Sequence, residues 1–342
     1  MTTFRAVRSD RVGQLAALTS AELPKLAAGE VDVAVSLSAL SRADALTATG
    51  GPSPPARPIV PGCTFVGTVV DSRYHRWHEG DAVLATGHGL GIDHPGGWAE
   101  RARLPGDWLT AIPDGLTAAE AVAIGTPGLA AMLAVVAIED QGVPPESGPV
   151  LVTGATGGLG SLAVVALAAF GYEVIAGTRR PESAGYLRSI GAHDVNTLLP
   201  GSRDSSGLEM WAAVIDVLGG LDFSALVAGT RRRGAVISAG TVTGEIAKLP
   251  LLPLARGSIA VLGINARQSG PARLADAWAR WSEALNDGGM REHLARAVSI
   301  ATLDEAVSAS RALLAGEHRG RILIRVGQAG QLQADRLNGQ MH

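Results

Sequence analysis

The residues best suited to chemistry lie between Val150 and Arg180. Val150-Leu-Val-Thr-Gly154-Ala-Thr-Gly157-Gly158-Leu-Gly160 precedes an alanine-rich run, and Tyr172-Glu-Val-Ile-Ala-Gly177-Thr178-Arg179-Arg180 follows it. A short apolar stretch, a glycine turn, a helical run and a second apolar stretch predict a β-α-β unit. Such a unit seats the pyrophosphate of a dinucleotide on a helix N-terminus. Gly157 is expected to let the backbone approach the phosphates and Gly160 to let the helix close on the strand, while Ala155 stands where the first fingerprint glycine usually sits. Thr156, Gly157, Gly158 and Leu159 are therefore the predicted phosphate contacts.

The end of the second strand bears on which dinucleotide binds. Enzymes that use NAD usually carry Asp or Glu there, to hydrogen-bond the ribose 2′-hydroxyl. This chain has Gly177 instead, followed by a hydroxyl and two guanidinium groups on Thr178, Arg179 and Arg180. Those donors suit a 2′-phosphate, so NADPH is the predicted cofactor. A merely solvated pair of arginines is the plainer alternative. The glycines also fit the Thr-Gly-x-x-x-Gly-x-Gly pattern of short-chain dehydrogenases, from Thr153 to Gly160. That family needs a Tyr-x-x-x-Lys pair, and none of Tyr74, Tyr172 and Tyr186 has lysine four residues later.

A chain of 342 residues has room for two domains, each with its own core. The net charge of −3 argues against a nucleic-acid partner or an anionic membrane surface, because no basic stripe supplies counterion release. No apolar run is expected to be long enough to span a bilayer and the first residues lack a signal-peptide core, so the cytoplasm is the expected location. The single cysteine, Cys63, excludes an intrachain disulfide and any multi-cysteine metal site.

The elements that must position the glycine turn follow from period and punctuation. Up to residue 122, short apolar runs at Arg5–Val7, Val31–Val35, Val66–Val70, Asp81–Leu84 and Trp98–Arg103 are separated by glycine and proline. They predict small strands of a partly closed β-domain. The proline-rich stretch 50–58 must be loop. From 123 to 300 strands alternate with helical runs: Ala212–Val217, Gly234–Ala239 and Ser258–Gly263 read as strands buried on both faces. A doubly wound parallel sheet is expected, with its ligand crevice at the carboxyl ends of the strands. Leu218-Gly219-Gly220, Ala239-Gly-Thr241 and Gly263-Ile264-Asn265 would line it. A helical run from Ala301 to Arg319 and a last strand at 320–326 close the chain, and the polar residues 327–342 are expected to be a flexible tail.

A β-rich first domain, a mid-chain dinucleotide fold and a returning C-terminal strand together resemble the medium-chain dehydrogenase/reductase superfamily. The resemblance is carried by Asp44–Gly50, Pro61–Val69, Gly96–Leu109, Gly125–Met132, Val152–Gly160 and Tyr186–Ala192, and it points to the acrylyl-CoA reductase branch, which includes quinone oxidoreductases. It implies an α/β protein: a GroES-like catalytic domain (1–122, rejoined by 301–326) and a Rossmann NADPH-binding domain (123–300). It also implies a homodimer and a small α,β-unsaturated carbonyl substrate. Where zinc members of the superfamily have their ligands, this chain has Gly62-Cys63-Thr64 and no four-cysteine lobe, so a metal-free enzyme is expected.

Without a metal, the resemblance implies hydride transfer from NADPH to the β-carbon of an enone or enoyl thioester. Quinone reduction and a non-catalytic NADPH-binding sensor or interaction protein are the alternatives. Thr126 matches the superfamily threonine beside the nicotinamide; a plain helix N-cap is its structural alternative. Relatives of the branch carry Leu-Asn-Tyr-Lys-Asp-Ala-Leu, and this chain has Leu40-Ser41-Arg42-Ala43-Asp44-Ala45-Leu46. Arg42 thus replaces a tyrosine that touches the cofactor. Arginine is a poor proton donor, so Arg42 is expected to grip an anionic or carbonyl group of substrate or cofactor, or else to face solvent. Arg203, Thr241 and Ile264 complete the predicted cofactor contacts. Cys63 is expected to be a small buried residue, Asp93 and His94 to sit in a cleft loop, and Trp211, Trp278 and Trp281 to lie in the core or at subunit contacts.

Overall fold

In the computed structural model, residues 3–327 are described except 12, 24, 52–57, 198–209, 221 and 250. Most of the proline-rich loop, Arg203 and the expected tail from 328 lie outside the described residues. Packing divides the chain into two units, one formed up to Thr126 and again from Val298, the other spanning Pro127–Ala297.

The first unit contains β1 (Thr3–Arg8), β2 (Ala17–Glu22), β3 (Glu30–Leu40), α1 (Arg42–Ala48), β4 (Thr64–Ser72), β5 (Ala82–Thr86), β6 (Arg101–Pro105) and β7 (Leu109–Ala111). Helix α2 (Ala118–Asp140) leads out of it. The second unit holds β8 (Val150–Val152), α3 (Gly158–Ala169), β9 (Val174–Gly177), α4 (Ala184–Ser189), β10 (Asp194–Asn196), β11 (Trp211–Asp216) and α5 (Phe223–Ala228). It continues through β12 (Thr230–Ser238), α6 (Leu251–Gly257), β13 (Ala260–Gly263), α7 (Pro271–Ala284) and α8 (Gly288–Arg296). The chain then returns as β14 (Val298–Thr302), α9 (Ala306–Ala315) and β15 (Arg321–Arg325).

The long strand β3 organises the first unit. It pairs with β4, β6 and β15, all antiparallel, within a seven-stranded sheet. Register shifts after Asp32 and Val35 bend it, as bulges do, so that one strand serves several partners. Gly67 is compulsory on β4: a Cβ there would lie 2.2 Å from the Ala34 carbonyl oxygen. Val33, Val35, Phe65, Trp98, Ile322 and Ile324 form the core, and the buried indole of Trp98 donates to the Ala39 carbonyl at 3.0 Å.

The second unit is a six-stranded sheet in the order β10-β9-β8-β11-β12-β13, every pair parallel. This is the doubly wound order, which reverses beside β8. Strands β8 and β11 are buried throughout, which explains the unbroken apolar sequence of β8 and of β11 up to Asp216. Strand β13 departs from expectation. As the outermost strand it half-buries only alternate residues, and Val261 is exposed.

Two further expectations are corrected. The helical run read from Ala301 begins instead as strand β14, and α9 stops at Ala315 because Gly316 adopts φ 75, a left-handed terminator. Contrary to the expectation that no apolar run is long enough to span a bilayer, helix α2 is long and apolar enough by length and composition, but it is mostly buried and kinked. The kink sits at Gly125 (φ 45, ψ −157), two residues before Pro127. Proline offers no amide to the carbonyl of Ala123, and the guanidinium of Arg321 takes that place, Nε donating to it at 2.9 Å. Strands β2, β7, β10 and β14 escaped the sequence reading because they are short and mostly lack continuous apolar character.

Candidate coenzyme and active site

The glycine turn connects β8 to α3. Gly154 has φ 57, the left-handed conformation that glycine tolerates best. Gly157 occupies the N-cap of α3, and no side chain caps the helix there. A Cβ on Gly157 would meet only the Gly154 carbonyl, at an ordinary 3.4 Å, so the protein itself leaves this face of the turn open. Gly160 is different. A Cβ there would stand 2.3 Å from the Gly154 oxygen, so close packing of turn and helix demands glycine.

Beyond β9, Thr178 is buried and its hydroxyl accepts the Arg180 amide at 3.1 Å. Arg180 turns back over the glycine turn, and its Nη2 donates to Thr156 Oγ1 at 2.5 Å. This guanidinium charge lies beside the partial positive charge of an uncapped helix N-terminus, a combination that favours an anion. Arg179 is exposed, while Arg180 is half-buried. Thr241 is exposed in the loop after β12. Ile264 follows β13, half-buried, and its amide donates to Ser238 O at 2.9 Å. The turn 154–160 and residues 178–180, 218–220, 241 and 264 all emerge at the carboxyl ends of strands of one sheet.

Arg42 and Thr126 belong to the other unit. Arg42 opens α1 and is exposed, with no hydrogen bond or ion pair among the described residues. Thr126 follows the α2 kink, and its hydroxyl lies 3.2 Å from that of Thr86, which lies 2.8 Å from that of buried Thr64. This line of three hydroxyls was not legible in the sequence, because its members come from α2, β5 and β4.

A second cluster surrounds Asp44, which is fully buried at N3 of α1 in a capping box with Ser41. Its carboxylate accepts the amides of Ser41, Gly62 and Cys63 at 2.9, 2.7 and 3.1 Å and the Ser41 hydroxyl at 2.6 Å. The Cys63 thiol is 3.4 Å away. Burial raises the Asp44 pKa, and the donors from Ser41, Gly62 and Cys63 oppose that. Cys63 is half-buried rather than fully enclosed, yet burial, with the Asp44 charge adding to it, pushes its thiol up to about 12. Buried Arg321 also bonds the Leu40 carbonyl at 3.3 Å, joining the end of β3 to the α2 kink. Asp93 and His94 are exposed in the loop after β5, where the His94 ring meets the Trp108 ring edge-on and His88 stacks on the same indole. Trp211 and Trp281 are core residues, and Trp278 is half-buried.

Residues 27–114 match the family model of the alcohol dehydrogenase GroES-like domain, and residues 158–284 match that of the zinc-binding dehydrogenases. The acrylyl-CoA reductase AcuI of Ruegeria pomeroyi is 38% identical over 320 residues, 91% of this chain and 94% of that protein. The yhdH oxidoreductase of Salmonella enterica, solved in complex with NADP, has a TM-score of 0.84 at 36% identity, covering 94% of this chain and 100% of that one. The Bacillus subtilis protein yhfP, named among the quinone oxidoreductases and solved with NAD bound, has a TM-score of 0.87 at 31% identity, covering 95% and 100%. The chain belongs to the medium-chain dehydrogenase/reductase superfamily.

This oxidoreductase bears residues that fit a dinucleotide and do not fit zinc. The cradle for the dinucleotide is the open face at Gly157, the uncapped start of α3 and Arg180. For zinc the donors are too few: beside Cys63 stands Asp44, whose carboxylate is already committed to backbone amides. Among the described residues no group of three or more His, Cys, Asp or Glu could hold a metal ion.

Proposed function

We propose that the protein is an NADPH-dependent reductase of activated carbon–carbon double bonds, taking an enoyl thioester or an enone. The observation that carries this is the open N-terminus of α3 beside Arg180, in a chain closely similar to an acrylyl-CoA reductase. Bound NADPH supplies the hydride that the β-carbon receives. Gly158 and Leu159 offer backbone donors to the pyrophosphate, Gly157, its own amide bonded to the Gly154 carbonyl, leaves it room, and Thr178, Arg179 and Arg180 meet the 2′-phosphate. Thr126, its hydroxyl held by Thr86 and Thr64, flanks the nicotinamide. As the β-carbon is reduced, the π-electron pair moves toward the carbonyl, which calls for donors at the oxygen and a proton at the α-carbon. Arg42 grips an anionic or carbonyl group, and because a guanidinium does not release a proton at neutral pH, water delivers that proton.

The test is NADPH oxidation with acrylyl-CoA, crotonyl-CoA, alkenals, cyclic enones and quinones, run in parallel on Arg42→Ala. Turnover of the unsaturated thioesters or enones, weakened in the variant, is the expected result. Turnover of quinones alone would favour the second reading, to which the likeness to yhfP lends support. No turnover with any of them, despite NADPH binding, would leave a sensor or interaction protein.

Coenzyme choice has its own test, since relatives are solved with NADP and with NAD. Arg180→Ala should weaken NADPH by about 1.5–3 kcal/mol more than NADH, the worth of hydrogen bonds to a charged group. Equal losses in calorimetric titrations would remove the 2′-phosphate assignment.

The enzyme works in the cytoplasm as a homodimer joined along β13. Exposed Val261 on that outer strand, with Ile246, Leu251 and Leu252 exposed in the preceding segment, supports the assembly, since unpaired strand edges and apolar patches seek partners. Sedimentation should show a dimer that Val261→Glu converts to monomer; a monomeric wild type in the soluble fraction would refute the assembly, and sedimentation with membranes would refute the location.

A further inference from the structure

Thr153 and Asp216 close the carboxyl ends of the neighbouring strands β8 and β11, and neither has a role in the reading above. Asp216 is 1% exposed and Thr153 3%. The Thr153 hydroxyl donates to Asp216 Oδ1 at 2.5 Å and accepts the Val217 amide at 3.0 Å. Asp216 Oδ1 also accepts the Leu218 amide at 3.2 Å, and Oδ2 accepts the Gly219 amide at 2.9 Å. A buried carboxylate is costly unless every lone pair finds a donor, and here each of its donors comes either from the residue before the glycine turn or from the loop after β11.

That loop is held on its other side as well. Gly219 and Gly220 are left-handed (φ 67 and 78), and the Thr243 hydroxyl donates to the carbonyls of Leu218 and Gly219 at 3.1 and 3.0 Å. Gly219 also bridges to Gly244. The side chain of Leu218 is thereby pressed toward Gly154, where a Cβ would come within 3.1 Å of it.

We propose that Thr153 and Asp216 are positioning residues, a latch that holds the phosphate-binding turn at 154–160 in register with the crevice loop at 217–220. The inference rests on the coenzyme reading above for its consequence, though not for the latch itself. Coenzyme seated on the turn is then presented to a loop that cannot drift.

Three variants test it, with NADPH affinity, kcat, thermal stability and hydrogen–deuterium exchange as readouts. Thr153→Ser keeps the hydroxyl and should match the wild type. Thr153→Val and Asp216→Asn, whose amide would set a donor against a donor, should each raise the NADPH Kd by roughly tenfold, the worth of one hydrogen bond to a charged group. Their combination should cost little more than the worse single change, because both break one unit. In coenzyme-free protein, Thr153→Val should speed exchange at 154–160 and at 217–220 together. Unchanged exchange in either segment, valine and serine variants that behave alike, or a fall in thermal stability with Kd and kcat untouched would overturn the latch. A wild type that binds no NADPH would sink the coenzyme reading instead, and the exchange comparison would still decide the latch.

Discussion

Gly160→Ala is expected to abolish useful NADPH binding while leaving most of the second unit folded. The added Cβ would meet only backbone: the Gly154 oxygen at 2.3 Å, and the Ala155 Cα and Gly154 carbonyl carbon at 2.8 Å. No side chain can rotate away, so turn and helix must separate. The amides of the first turn of α3 then no longer converge on one point, and Arg180 loses the Thr156 hydroxyl it bridges to. Overpacking of this kind costs about 1–3 kcal/mol of stability. Affinity should suffer more, because several phosphate contacts fail together: a rise in NADPH Kd of about 100-fold or greater corresponds to roughly 2.8 kcal/mol. Calorimetric titration gives the answer, with circular dichroism as the control for folding. Gly157→Ala sharpens the contrast, since the protein there leaves space for a Cβ. That variant should fold normally and still bind NADPH poorly, because the coenzyme itself needs the room. Wild-type affinity in either variant would mean that the phosphates lie elsewhere.

Asp44→Ala should be the most destabilising single change in the first unit. It strips the acceptor from the buried Gly62 amide and from those of Ser41 and Cys63, and removes the reciprocal half of the α1 capping box. Each orphaned buried donor costs about 1–3 kcal/mol, so a total of about 4 kcal/mol or more is expected, at the upper end for any point substitution. Arg321 would also lose a negative charge that helps keep it protonated in its buried site. Denaturant unfolding measures the loss. Asp44→Asn, which retains the shape and one acceptor, should recover part of it, and a cost below about 1 kcal/mol for the alanine variant would show that water replaces the carboxylate.

The coenzyme site was legible because its determinants are local. The strand, the turn, the helix and the end of the next strand fall within thirty-one residues of sequence, from Val150 to Arg180, and glycine in place of an acid at 177 is a one-residue statement about the ribose. Even there, the sequence left both arginines equivalent. Only the fold draws Arg180 onto Thr156 and leaves Arg179 in solvent. The returning strand β15 was expected, but not that its first residue would supply the donor that Pro127 withholds from Ala123.

What pattern alone established about this protein is its parallel nucleotide sheet, all but the short β10, its β-rich companion unit and the phosphate turn, because hydrophobic period, glycine placement and strand–helix alternation are written in neighbouring residues. What required the folded chain is every relation between distant segments: the hydroxyl line from Thr64 through Thr86 to Thr126, the Asp44 hub that ties α1 to Gly62 and Cys63, and the Thr153–Asp216 pair. A hydrogen bond reaches about 3 Å, and nothing in a linear sequence records which side chains separated by tens of residues will come that close.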